Sequence, residues 1–184
     1  MSTFFFANLI IFLTFRAVRI DNGKPGNHTP IMNLSELLDK ELLLPKIDCT
    51  SGDELIRTLV ERIYEKNPSF PIPKNEVLTS IAIREQIGGT LLPSGLSIPH
   101  ARLKDYEDFT IAIATPEQPL FQGGQQIRMM ALMITSQSGV PWYLSVLAAI
   151  SKISRDAGYF TRLCGAPDAG EFFNIIAGND LVLD

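Results

Sequence analysis

Histidine and cysteine are scarce in this chain of 184 residues, with two of each, and tryptophan occurs once. Cys49 and Cys164 stand far apart, without CxxC spacing or a neighbouring histidine. A zinc site and a disulfide scaffold are thereby excluded, and both residues read as buried thiols of a reducing cytoplasm. Runs of Lys and Arg are missing too. With 16 basic against 20 acidic residues the formal charge is −4, which argues against a nucleic-acid-binding face. No GxSxG, paired-carboxylate or Ser/His/Asp spacing is present, so a histidine-dependent hydrolase lacks its machinery. Nothing in the sequence calls for a metal or another cofactor.

A hydrophobic run of membrane-spanning length is also lacking. The most apolar stretch, STFFFANLIIFLTF, has about 14 residues, against the roughly 20 that a spanning helix needs. Stable membrane insertion is not expected. Arg16 and Arg19 follow the run instead of preceding it, which makes a poor secretory signal. The next segment, RIDNGKPGNHTPI, reads as a linker, and His28 within it as a solvated bystander. Residues 1–32 are therefore read as an N-terminal extension, with Met32 as the natural start, and residues 33–184 as one domain. The 46% hydrophobic content suits a single core of ordinary size.

Within that domain, NLSELLDKELL opens with short amphipathic turns that end towards Pro45. Ser51-Gly-Asp-Glu54 is a capping-box sequence. Leu55, Ile56, Leu59, Val60, Ile63 and Tyr64 then recur at helical spacing, which predicts a helix over 52–66. A second helix is predicted over 74–87, with Val77, Leu78, Ile81 and Ala82 inward and a left-handed terminator at Gly88-Gly89. FTIAIAT (109–115) reads as a half-buried strand and IRMMALMIT (127–135) as a strand covered on both faces, joined by the turn-rich PEQPLFQGGQQ. Helices are expected over 141–155, 157–163 and 168–177, the first burying Trp142, Leu144, Leu147, Ala148, Ile150 and Ile153. Met129, Met130, Trp142 and Phe121 are assigned to the core. The fold class that follows is α/β, a small mixed sheet sandwiched by helices.

The second histidine, His100, lies in GLSIPHARL, where a short strand-like run ends at Pro99, which fixes φ and removes an amide donor. The residues alone leave two readings open. The ring is either a packed histidine satisfied by backbone groups, or a neutral imidazole whose free lone pair accepts a phosphoryl group.

Taken together, RE at 84–85, GGT at 88–90 and GLSIPHAR at 95–102 resemble the signature of the fructose, mannitol and nitrogen-regulatory enzyme IIA domains of the bacterial phosphoenolpyruvate-dependent phosphotransferase system. The resemblance extends over about residues 33–178. It implies that His100 accepts a phosphoryl group from the phosphocarrier protein HPr or a nitrogen-branch counterpart, and that an enzyme IIB domain or a regulated protein is a further partner. It also implies that Arg84 offers forked donors to phosphoryl oxygens. Arg102 is a weaker candidate for the same help, and Glu85 and Thr90 are read as organisers beside the site. Three departures stand near it. Tyr143-Leu144 replaces the family's His-Leu, Leu91-Leu92-Pro93 replaces Gly-Ile-Gly, and ITSQSGVP lacks the usual proline after the central strand. Tyr143 can donate a hydrogen bond but brings no charge near neutrality. Two expectations remain: a cytoplasmic phosphohistidine carrier, hence a phosphotransferase component in sugar uptake or regulation, or a transfer-impaired module of the same fold that acts by docking.

Overall fold

The computed structural model describes residues 32–138, 140–179 and 182–183. The apolar run, the linker and His28 lie outside the described residues. The elements in chain order are β1 (Met32–Asn33), two 3-10 turns (Leu34–Leu37 and Lys40–Leu42), β2 (Leu43–Ile47), α1 (Gly52–Lys66), α2 (Lys74–Ile87), β3 (Leu96–Ser97), β4 (His100–Leu103), β5 (Phe109–Pro116), β6 (Leu120–Gln122), β7 (Gln125–Ile127), β8 (Met129–Ser136), α3 (Val140–Ile153), α4 (Ala157–Gly165), α5 (Ala169–Ala177) and β9 (Val182–Leu183).

The central sheet runs β2-β5-β8-β3, with β4 following β3 along the same side of β8. Only the β5–β8 pair is antiparallel, so the sheet is mixed. Side chains along β8 alternate between two cores. Met129, Ala131 and Met133 join Val146, Ile150, Phe160, Leu163, Phe172 and Ile176 of α3, α4 and α5. Met130, Leu132 and Ile134 join Leu55, Leu59, Val60, Ile63, Val77 and Ile81 of α1 and α2. Helices thus cover both faces, and the α/β sandwich expected from the sequence is the fold.

Several local expectations are corrected. β5 is buried from Ile111 onward instead of half-buried, because it lies between β2 and β8. Its Ile111 and Ile113 face α3–α5, while Ala112 and Ala114 lie on the α1–α2 side. β2 replaces the supposed helical tail before Pro45. It is an edge strand, where a proline costs no interior ladder bond. The connection after β5 is a hairpin, β6–β7, whose Gly123 and Gly124 both take positive φ, 57° and 81°. Phe121 on that hairpin is exposed instead of packed, whereas Met129 and Met130 are fully buried. On α3 the inward face is Tyr143, Val146, Ala149, Ile150 and Ile153, and Leu144 and Ala148 point outward; on α2, Ala82 does likewise. Both cysteines are partly exposed free thiols.

Helix α1 begins as its cap sequence requires, with Ser51 Oγ accepting from the Glu54 amide at 3.2 Å. The Glu54 carboxylate reaches one residue further back than a capping box would place it, accepting from Thr50 N and Oγ1 at 2.8 Å. Helix α2 ends at Gly88 in an extended conformation, not the left-handed one expected. The missing C-terminal closure is supplied by a side chain, since Arg84 Nη1 donates to the Gly88 carbonyl at 2.7 Å.

Candidate functional site

Residues 91–99 form the turn that delivers His100 to the sheet. The Gly95 amide donates to Leu92 O at 2.9 Å and the Leu92 amide to Leu96 O at 2.8 Å, so these amides are engaged within the turn. Gly95 has φ +90°, and a Cβ there would meet Arg128 Cγ at 3.0 Å and Gln126 O at 3.1 Å. Only glycine fits without displacement. The Gly95 carbonyl accepts from the amides of Arg128 and Met129, at 2.8 and 3.2 Å, which docks the start of β3 on β8. Glu85 fixes the opposite end of the turn. Its carboxylate accepts from Thr90 Oγ1 at 2.7 Å, and the Thr90 carbonyl accepts from the Ile98 amide at 3.2 Å. Glu85 and Thr90 thereby brace the segment carrying Ile98.

His100 opens β4 opposite Met133 and is 7% exposed. Its Nδ1 lies 3.1 Å from the Ile98 carbonyl, and its Nε2 lies 3.2 Å from Arg84 Nε. A carbonyl can only accept and a guanidinium can only donate, so the proton sits on Nδ1 and the lone pair on Nε2. Burial lowers the His100 pKa from the ordinary 6.5; the Ile98 carbonyl opposes this, Arg84 and Arg102 add to it, and Glu85 opposes it. The ring is therefore neutral at pH 7, with its nucleophilic nitrogen directed at Arg84.

This has a sign for stability. The folded state disfavours the imidazolium, so the unfolded chain binds more protons and the contribution is fully present above pH 6.5. It declines as the pH falls from 6.5 through the lower folded-state value. An NMR titration of the His100 ring is expected to show its midpoint below 6.5; a midpoint at or above that value would contradict the assignment.

Tyr143, on the first turns of α3, packs its ring 5.3 Å from that of His100, at an interplanar angle of 50°. It is 5% exposed, and burial raises its phenol pKa against the opposing influence of Arg84 and Arg102. The Arg102 guanidinium lies 5.9 Å from the Tyr143 ring centroid, and its Nη2 donates to the Gln137 carbonyl at 2.8 Å. The sequence-derived residues His100, Arg84, Tyr143 and Arg102 are thus brought together, while Thr90 touches the site only through the turn. The Ile98 carbonyl, Gln137 and Gly95 also shape the site, and the sequence does not mark them as part of it. Backbone carbonyls carry no side-chain signature, and only the glycine between Ser94 and Leu96 signalled a turn.

The arrangement can do one kind of chemistry well, nucleophilic attack by a neutral, oriented imidazole on an anionic electrophile beside a guanidinium. A family model described as "Phosphoenolpyruvate-dependent sugar phosphotransferase system, EIIA 2" matches residues 36–179. A nitrogen regulatory protein of Bradyrhizobium diazoefficiens is 25% identical over 149 residues, covering 79% of this chain and 95% of the relative. The crystal structure of nitrogen regulatory protein IIA-Ntr from Neisseria meningitidis has the same fold, with a TM-score of 0.65 at 17% identity over 78% of this chain and 98% of that one. So does the enzyme IIAMTL complex with phosphorylated enzyme IIBMTL from Escherichia coli, with a TM-score of 0.62 at 15% identity over 77% of this chain and 98% of that one. With the match running from the first 3-10 turn to the end of α5, the chain belongs to the EIIA 2 family of the phosphoenolpyruvate-dependent sugar phosphotransferase system.

Proposed function

We propose that the chain is a phosphohistidine carrier, in which His100 Nε2 takes a phosphoryl group from a phosphorylated HPr-like protein. The observation that carries this reading is the paired engagement of the ring, with Nδ1 held by the Ile98 carbonyl and Nε2 left as a lone pair facing Arg84. In the transfer the Nε2 lone pair forms a bond to phosphorus as the donor's nitrogen–phosphorus bond breaks, and the donor ring recovers its electron pair. The Nδ1 proton stays where it is. Arg84 releases Nε2 and turns its N–H groups to the phosphoryl oxygens, where a fork of donors matches their geometry. Positioning and electrostatic stabilisation supply the catalysis, and no cofactor is invoked.

The acceptor in turn is an enzyme IIB domain, or else the phosphorylated state regulates a bound protein. Exposed Ile83 and Ile87 on α2 and Leu144 on α3 stand on the helices that carry Arg84 and Tyr143, and they form the apolar contact for either protein. Among the described residues no helix is long and apolar enough to cross a membrane. The proposed location is the cytoplasm, with residues 33–184 as the working domain. A docking module that no longer transfers is the second reading, favoured by the tyrosine at position 143 and by the committed amides of the 91–95 turn.

Incubation of the chain with phosphoenolpyruvate, enzyme I and HPr separates the two. Intact mass is expected to rise by one acid-labile phosphoryl group, and Arg84→Gln to slow the gain about tenfold, the worth of a charge-assisted hydrogen bond. No gain with any HPr-like donor would leave docking as the function.

A further inference from the structure

On β4, His100 and Arg102 are two residues apart, so both side chains leave the same face of the strand. That face is the one against α3, because His100 is in register with Met133, which belongs to the α3 core. A single buried ring, Tyr143, contacts both of them, through the aromatic pair with His100 and through the guanidinium over its face. Arg102 is exposed, and a long side chain at an exposed position ordinarily wanders. Here it is held at two points, by the Tyr143 ring and by the Gln137 carbonyl at 2.8 Å. Only Nη2 of the guanidinium is used in that bond, and its other donors make no hydrogen bond among the described residues.

The charges explain why a second fixed cation matters. A phosphoryl group on Nε2 brings about two negative charges into a site where burial disfavours charge. From α2 come Arg84, which counters them, and Glu85, whose carboxylate opposes them; from α3 comes the neutral Tyr143; from β4 comes Arg102. With Arg84 alone, the one guanidinium and the one carboxylate that α2 brings to the ring, Arg84 and Glu85, cancel in formal charge.

We infer that Arg102 is a second phosphoryl-binding residue of this site, and that Tyr143 is the positioning residue that holds it there through its ring face, not through its hydroxyl. The inference rests on the phosphocarrier reading and adds to it how this chain manages with tyrosine at position 143. Tyr143 supplies no charge itself and instead fixes one that does not titrate near neutrality.

The test uses the full chain, phosphorylated from phosphoenolpyruvate through enzyme I and HPr, with two readouts: the transfer rate and the pH midpoint of the phosphohistidine 31P resonance. Arg102→Gln is expected to slow transfer about fivefold and to move the midpoint up by about half a pH unit, because a nearby cation favours the dianion. Tyr143→Leu is expected to do the same, and adding it to Arg102→Gln to do little more, since the pair acts as one unit. Tyr143→Phe keeps the ring and is expected to lose markedly less than Tyr143→Leu in both readouts. A parent chain that is phosphorylated normally while Arg102→Gln changes neither readout overturns this inference alone. Equal loss in Tyr143→Phe and Tyr143→Leu overturns the positioning role and makes the hydroxyl responsible. A parent chain that accepts nothing from any donor overturns the phosphocarrier reading and this inference with it.

Discussion

Phosphorylation of His100→Ala is expected to fall by at least about a thousandfold, below detection by intact mass, while the fold survives. The substitution removes the only nitrogen in the site that carries a lone pair, since the neighbouring guanidiniums of Arg84 and Arg102 are donors without one. The ring sits at the start of an edge strand, so its removal empties a small volume beside Tyr143 and leaves the Ile98 carbonyl near solvent. Far-UV circular dichroism and the thermal transition show whether the fold is kept. The chain has one other histidine, His28, which makes the interpretation clean. A phosphoryl gain that persists in His100→Ala and disappears in His28→Ala would place the acceptor in the N-terminal segment and sink the assignment.

The largest stability effect is expected at Phe172. Its side chain is 1% exposed on the inward face of α5, between that helix and the sheet, in the core shared with Phe160, Leu163, Ile175 and Ile176. Phe172→Ala is expected to cost about 3–5 kcal/mol, the transfer free energy of the ring together with the cavity left behind. Urea or guanidinium unfolding at constant m-value measures it. A loss under about 1 kcal/mol would mean that α5 collapses into the space and that the core is less tightly packed than its burial indicates. Such an outcome would also bear on the site, because the same core holds Met133, the strand neighbour of His100, and Tyr143, whose ring packs on it.

Much of this architecture was legible from residue order. Helices α1 and α2 fall on the bounds read from the periodicity because apolar spacing and punctuation agree there, with Ser51 before the first and Gly88 after the second. Strand β8 declared itself as an unbroken apolar run, since a strand buried on both faces has no polar side to show. β2 did not, because Leu42, Leu43 and Leu44 continue the spacing of the preceding turns, and only pairing with β5 makes the segment a strand. The β6–β7 hairpin was hidden because its arms have only three residues each around Gly123-Gly124, although that pair signals a tight turn. On α3 the sequence alone does not set the rotation, because an apolar helix shows little contrast between its faces; the docking of Val146 and Ile150 on the sheet turns Leu144 and Ala148 outward.

The site divides in the same way. His100 and Arg84 stood out through their motif, and the fold brings them within 3.2 Å. The groups that orient them are the backbone carbonyls of Ile98 and Gly88, as that of Gln137 orients Arg102, and their placement depends on three-dimensional register and not on residue type.

The Arg84 contact also bears on selectivity. In the resting chain the nucleophilic electron pair is masked by a guanidinium that is anchored on its own helix terminus. An uncharged electrophile, such as an acylating or alkylating reagent, has nothing to draw that cation aside and meets an occupied nitrogen. An incoming group with several anionic oxygens carries its own means of unmasking. On the phosphocarrier reading, the charge of the visitor therefore decides whether the His100 electron pair is uncovered, before any shape is tested.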